Sequence, residues 1–93
     1  MRKIKARFMA DYCSTGMWVF KRGVWINIET DFLSEHLQKL INDWQAIYDI
    51  QDLEAGLTEE GILNFDNLGS LILQIANEEI GNKYDLSLVK YDD

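Results

Sequence analysis

Six apolar side chains at helical spacing, Leu37, Leu40, Ile41, Trp44, Ile47 and Tyr48, constrain this chain more than any other feature. Steps of three, four and seven put them on one face of an α-helix, with Glu35, Lys39, Asn42 and Asp43 opposite. Ser34 stands where an N-cap belongs and Glu35 follows in the first turn, so the pattern predicts a helix over 34–49. A second stripe, Phe65, Leu68, Ile72, Ile75 and Ala76, follows Thr58-Glu59-Glu60 and precedes Gly81. It predicts a helix over 58–80, with Gly81 as the terminating C′ glycine. The weak helix formers Gly61, Asn64, Asp66 and Asn67 leave a start near Asp66 open. Two such helices need an apolar surface to lie on.

That surface is written on both sides of them. Residues 2–10 alternate, with Lys3, Lys5 and Arg7 on one parity and Ile4, Ala6 and Phe8 on the other. This is the signature of a strand with one wet face and one dry face. Met17-Trp18-Val19-Phe20 and Val24-Trp25-Ile26-Asn27-Ile28 flank Lys21-Arg22-Gly23. They read as a hairpin with a three-residue connection and the glycine at positive φ. Leu86, Leu88 and Val89 mark a last strand within 84–91. The order β-β-β-α-α-β predicts an α+β fold: a three- or four-stranded antiparallel or mixed sheet with two helices packed on one face. Residues 1–93 read as a single domain. Pairing of the last strand beside the first would bring Asp85, or the tail Asp92-Asp93, near Lys3 or Lys5. Trp18 and Trp25 are read chiefly as core residues, with an exposed binding platform as the alternative.

Charge is unevenly spread. Residues 1–23 hold six cations against Asp11, and residues 24–93 hold Lys39, Lys83 and Lys90 against fifteen acids, for an overall charge of −7. An acidic face steers basic partners and repels phosphates, so a basic protein partner is expected and direct nucleic-acid binding is not. The longest apolar run, Met17 to Phe20, is far short of the roughly 20 residues that span a bilayer. No signal-peptide pattern follows the basic start. With one cysteine and no disulfide pairing possible within the chain, a soluble cytoplasmic protein without membrane association is expected.

No catalytic constellation stands out. His36 is the only histidine and reads as a surface residue in the first turn of its helix. Cys13 follows a basic strand, which favours a thiolate, but its only usual base would be His36. Zinc ligands are too few, and no metal or other cofactor is expected. The glycines from Gly56 to Gly69 lack phosphate-loop spacing, and Asp49, Asp52 and Glu54 lack the glycine and terminal glutamate of a calcium loop. Glu59-Glu60 and Glu78-Glu79 read as solvated helical acids. The chain is therefore expected to be non-enzymatic.

Met9-Ala10-Asp11-Tyr12, Gly16 and Trp18, Leu37…Trp44…Tyr48-Asp49, Phe65…Gly69…Ile72…Glu79-Ile80-Gly81 and Tyr91-Asp92 together resemble a group of small acidic bacterial proteins. The resemblance implies no catalytic residue. In size, acidity and lack of motifs the chain is also similar to the immunity proteins of bacterial toxin systems. That likeness implies tight binding and neutralisation of one cognate toxin. The candidate contacts for such a basic partner are Asp43, Asp49, Asp52, Glu54, Glu59 and Glu60, which cluster around the connection between the helices. Two other readings are a nucleic-acid-mimicking counter-defence protein from a phage or plasmid, and a homo-oligomer with the tryptophan hairpin at its interface.

Overall fold

The computed structural model describes residues 2–51 and 56–91. Strands β1 (Ile4–Phe8), β2 (Met17–Lys21) and β3 (Val24–Asn27) come first. Helices α1 (Glu35–Asp49) and α2 (Glu59–Ile80) follow, and strand β4 (Tyr84–Leu88) comes last. The predicted order and the α+β class are both observed. The sheet is mixed and four-stranded, in the order β3-β2-β1-β4. β1 runs antiparallel to β2 and parallel to β4, which reaches it by a crossover through the two helices.

The parity of β1 decides which face the helices take. Ala6 and Phe8, with Met17 opposite Phe8, are fully buried beneath Leu37, Ile41, Trp44, Phe65, Ile72 and Ala76. Lys5 and Arg7 point the other way, as the alternation requires. Both predicted caps form. Ser34 Oγ accepts the Leu37 N–H at 3.2 Å, and Thr58 Oγ1 accepts the Gly61 N–H at 3.0 Å. The second stripe is one continuous helix from Glu59, because the cap at Thr58 and the burial of Phe65 outweigh the weak propensity of the residues between. Gly81 ends it with a right-handed φ of −66° rather than in the left-handed region expected of a C′ glycine.

Two local readings are corrected. The hairpin loop is Arg22-Gly23 alone, with φ of 53° and 83°, and Lys21 is already paired to Val24. Two consecutive left-handed residues make a type I′ turn, whose twist matches the strands it joins. Trp18 and Trp25 lie outside the helix–sheet core. Their parity is that of Arg7 and Phe20, so both are half-buried on the face away from the helices. There Arg7 lies 4.1 Å over the Trp25 ring, and Lys5 lies 5.2 Å from the Phe20 centroid. Ring faces hold these cations. The pairing of β4 with β1 does set Asp85 opposite Lys5, while Asp92 and Asp93 lie outside the described residues.

The fully buried tryptophan is Trp44, stacked on Phe65 at 5.1 Å. Two glycines make room for it. A methyl on Gly16 would come within 3.3 Å of both Trp44 and Ile41, and one on Gly69 within 3.1 Å of the Trp44 indole nitrogen. Contacts of 44 with 69, 48 with 65 and 34 with 79 run in opposite senses along the chain, so the helices are antiparallel. No helix among the described residues is long and apolar enough to cross a membrane.

Gly16 has a φ of 88°, so Gly16→Ala adds backbone strain to overpacking. It is expected to cost about 2 kcal/mol and to lower the thermal midpoint by roughly 10 °C. Gly69→Ala gains about 1 kcal/mol of helix propensity but crowds the indole, so it should lower the midpoint by less. Thermal unfolding followed by circular dichroism checks both, and an unchanged Gly16→Ala midpoint would refute the role given to Trp44.

Candidate functional site: an acidic tyrosine cluster

The end of α1, the start of α2, the C-terminal end of β1 and the residues after β4 converge. Because the helices are antiparallel, Asp49, Glu59 and Glu60 share this end of the molecule. Asp43 lies higher on α1, exposed and paired to Lys39 at 3.1 Å. Asp52 and Glu54 lie outside the described residues. Of the six predicted contacts, three therefore gather, one stands apart and already holds a cation, and two are not described.

The carboxylates differ in how free they are. Asp49 Oδ1 accepts the Cys13 N–H at 3.3 Å and the Gln45 Nε2–H at 3.0 Å, so it anchors the loop after β1. Glu59 and Glu60 are exposed in the first turn of α2, where they complement its N-terminal dipole. Asp66, one of the weak helix formers, accepts the Tyr91 N–H at 2.9 Å.

Gln45 organises this end. It is 5% exposed, and its Oε1 accepts the Asp11 N–H and the Ser14 hydroxyl, each at 3.2 Å. Its Nε2 donates to Asp49 and to the Asp11 carbonyl. A buried amide with all its partners in place fixes a loop that has little apolar burial of its own. It sets the Asp11–Ser14 segment against the last turns of α1.

The residues that the sequence reading missed are aromatic. Tyr12 and Tyr48 rings lie 4.8 Å apart, Tyr48 and Tyr91 6.3 Å apart, and Phe65 packs beneath Tyr48 and Tyr91. The Tyr91 hydroxyl accepts the Leu57 N–H at 3.3 Å and donates to Gln51 Oε1, tying β4 to the start of α2. A pocket of about 220 Å³ opens here, lined by Met9, Asp11, Tyr48, Phe65, Tyr91 and one cation, Lys90. The signal was present as three adjacent pairs, Asp11-Tyr12, Tyr48-Asp49 and Tyr91-Asp92, but they lie far apart in sequence and only the fold brings their tyrosines together. Burial first, and then Tyr12, Asp11, Tyr91 and Asp49, raise the Tyr48 pKa above its ordinary 10.0. Each of these neighbours disfavours the phenolate.

At the other end of β1 the character reverses. A groove of about 640 Å³ is lined by Arg2, Lys3, Lys5 and Lys21 over Ile4 and Phe20. Cys13 and His36 do not meet. Cys13 is tied to Asp49 at the foot of α1, and His36 is exposed in its first turn, about 20 Å away along the axis. No group of three or more His, Cys, Asp and Glu able to hold a metal ion occurs among the described residues. No family model and no curated protein matches the chain.

Two outcomes are expected. Gln45→Leu strands the Asp11 backbone groups and should cost about 2 kcal/mol, with faster amide exchange at Tyr12 to Ser14. In an ultraviolet titration Tyr48 should ionise above the ordinary tyrosine value of 10.0, and Tyr48→Phe should remove that late step. A pKa raised on folding contributes stability that is complete below the unfolded value of 10.0 and is lost as pH climbs through the folded one.

Proposed function

We propose that this protein is a non-enzymatic binding module of the immunity type, which holds and neutralises a basic toxin domain. The convergence of Tyr12, Tyr48 and Tyr91 with Asp11, Asp49, Glu59 and Glu60 at one end of the molecule supports the reading. Tyrosine supplies large, semi-rigid contact area at low entropic cost and is enriched among residues that dominate binding energy. Carboxylates around it set encounter rate and partner choice.

The charge layout favours the same reading. The two helices carry eight carboxylates and one cation, Lys39. The cations of β1 and β2 sit over aromatic rings or along the opposite end, and the ion pair between Lys39 and Asp43 stays within α1. Glu59 and Glu60, exposed at the start of α2, are thus left for a partner. A nuclease must gather phosphates, so its substrate site is basic, and an acidic body seated over it blocks substrate. Tyr12, 43% exposed, is the anchor best placed to enter such a site.

A nucleic-acid mimic would need carboxylates spread evenly like a phosphate backbone. The aromatic centre of this end and the cation at Lys39 fit that reading less well. Competition with DNA for a host enzyme distinguishes it from binding to one toxin.

The test begins with affinity capture from extract of the cells that make the protein, at low and high salt, followed by kinetics on the purified partner. The expected partner is basic, stoichiometric and released as salt rises. Reversing Asp43, Glu59 and Glu60 to lysine should slow association about ten-fold at low salt and flatten its salt dependence. Tyr12→Ala should speed dissociation with little change in association. An association rate indifferent to the triple reversal would sink the acidic-contact model.

A further inference from the structure

The helices cover most of one face of the sheet and leave the β3 edge bare. β3 and β4 are the two edge strands among the described residues; β4 packs under α2, whereas β3 has neither helix over it. Its pairing with β2 shows which backbone groups are spare. Lys21 and Val24 close a two-residue turn, and the Ile28 N–H donates to the Met17 carbonyl at 3.1 Å. In an antiparallel ladder inward and outward groups alternate, so Val24, Ile26 and Ile28 face β2. The N–H and C=O groups of Trp25 and Asn27 face outward.

Edges of this kind are usually blunted by charge, proline or a bulge. β3 reads Val-Trp-Ile-Asn, with no charge of its own, and the chain contains no proline. Val24 and Ile26 are 56% and 41% exposed, because the helices lie over β1, β2 and β4 and stop short of β3. An apolar strip therefore runs beside a row of unpaired backbone groups.

The residues flanking the strand say what fits against it. Lys21 and Arg22 precede β3, and Glu29 and Asp31 follow it; all four are exposed. A parallel partner of the same sequence would set like charges together. An antiparallel one sets the Lys21-Arg22 end of each strand beside the Glu29-Asp31 end of the other, and two-fold symmetry forms that match twice. It also brings Val24 and Ile26 of both copies onto one face.

We propose that β3 pairs antiparallel with β3 of a second copy of this chain, joining the two sheets into one across a two-fold axis. The tyrosine cluster lies on other elements and stays accessible in each copy. The pairing can be tested on the purified protein alone, independently of any toxin.

Sedimentation of the full chain over a series of concentrations should give a monomer–dimer equilibrium. Val24→Lys, at an exposed position, should abolish the dimer while leaving the circular dichroism spectrum unchanged. Lys21→Glu with Arg22→Glu should raise the dimer Kd by about ten-fold or more, and adding Glu29→Lys with Asp31→Lys should restore it. The four-site exchange keeps the proposal open to test should the Val24 variant fold poorly. A chain that stays monomeric throughout leaves the edge to a strand from another protein and overturns the proposal. So does a dimer that neither Val24→Lys nor the first charge reversal weakens.

Discussion

Trp44 is the side chain on which the rest of the molecule is assembled. It is fully buried, stacked on Phe65, and pressed between Gly16 at the entry to β2 and Gly69 in the middle of α2. Its indole N–H has no hydrogen-bond partner among the described residues, so shape rather than polarity holds it. An unpaired buried donor costs about 1–3 kcal/mol, which the area of an indole in full contact offsets. One ring thereby fixes the distance from α1 to the sheet and from α1 to α2. Gln45, the next residue, turns the same turn of helix into a polar clamp on the loop after β1. Packing and loop order thus come from adjacent positions.

The residues around this pair fall into two sets. Gly16, Trp44, Phe65, Gly69 and Ile72 are core residues or the gaps that admit them. Asp11, Tyr48, Asp49 and Tyr91 build the end where the loop, both helices and β4 meet. The first set explains why a chain would keep this fold. Only the second reaches the surface.

The fold was largely legible because its signals are local or periodic. Two apolar stripes, two caps and the alternation of Ile4, Ala6 and Phe8 each depend on neighbours within a few residues. The side taken by Trp18 and Trp25 was harder to read, since a short strand rich in large residues on both parities gives no sign of which face the helices will choose. The packing of Lys5 and Arg7 on rings decides it: their stems cover the aromatic faces and their charges stay wet. Half of the candidate site was legible. The acids around the helix connection lie close together in sequence, while Tyr12, Tyr48 and Tyr91 are joined only by the antiparallel helices and the return of β4.

That return has a consequence for how the chain folds. β1 is an inner strand, yet one of its neighbours is β4, and Ile4 pairs with Tyr84 at the far end of the sequence. Hairpin formation by β2 and β3 is quick and local, but the loop between β1 and β4 takes in β2, β3 and both helices, and its entropy must be lost before the parallel ladder gives anything back. During synthesis β1 therefore waits with one side unpaired until the residues of β4 have been made. Its alternating lysines and arginine keep the strand soluble while that edge is open, and in the finished sheet Lys5 and Arg7 settle over aromatic rings.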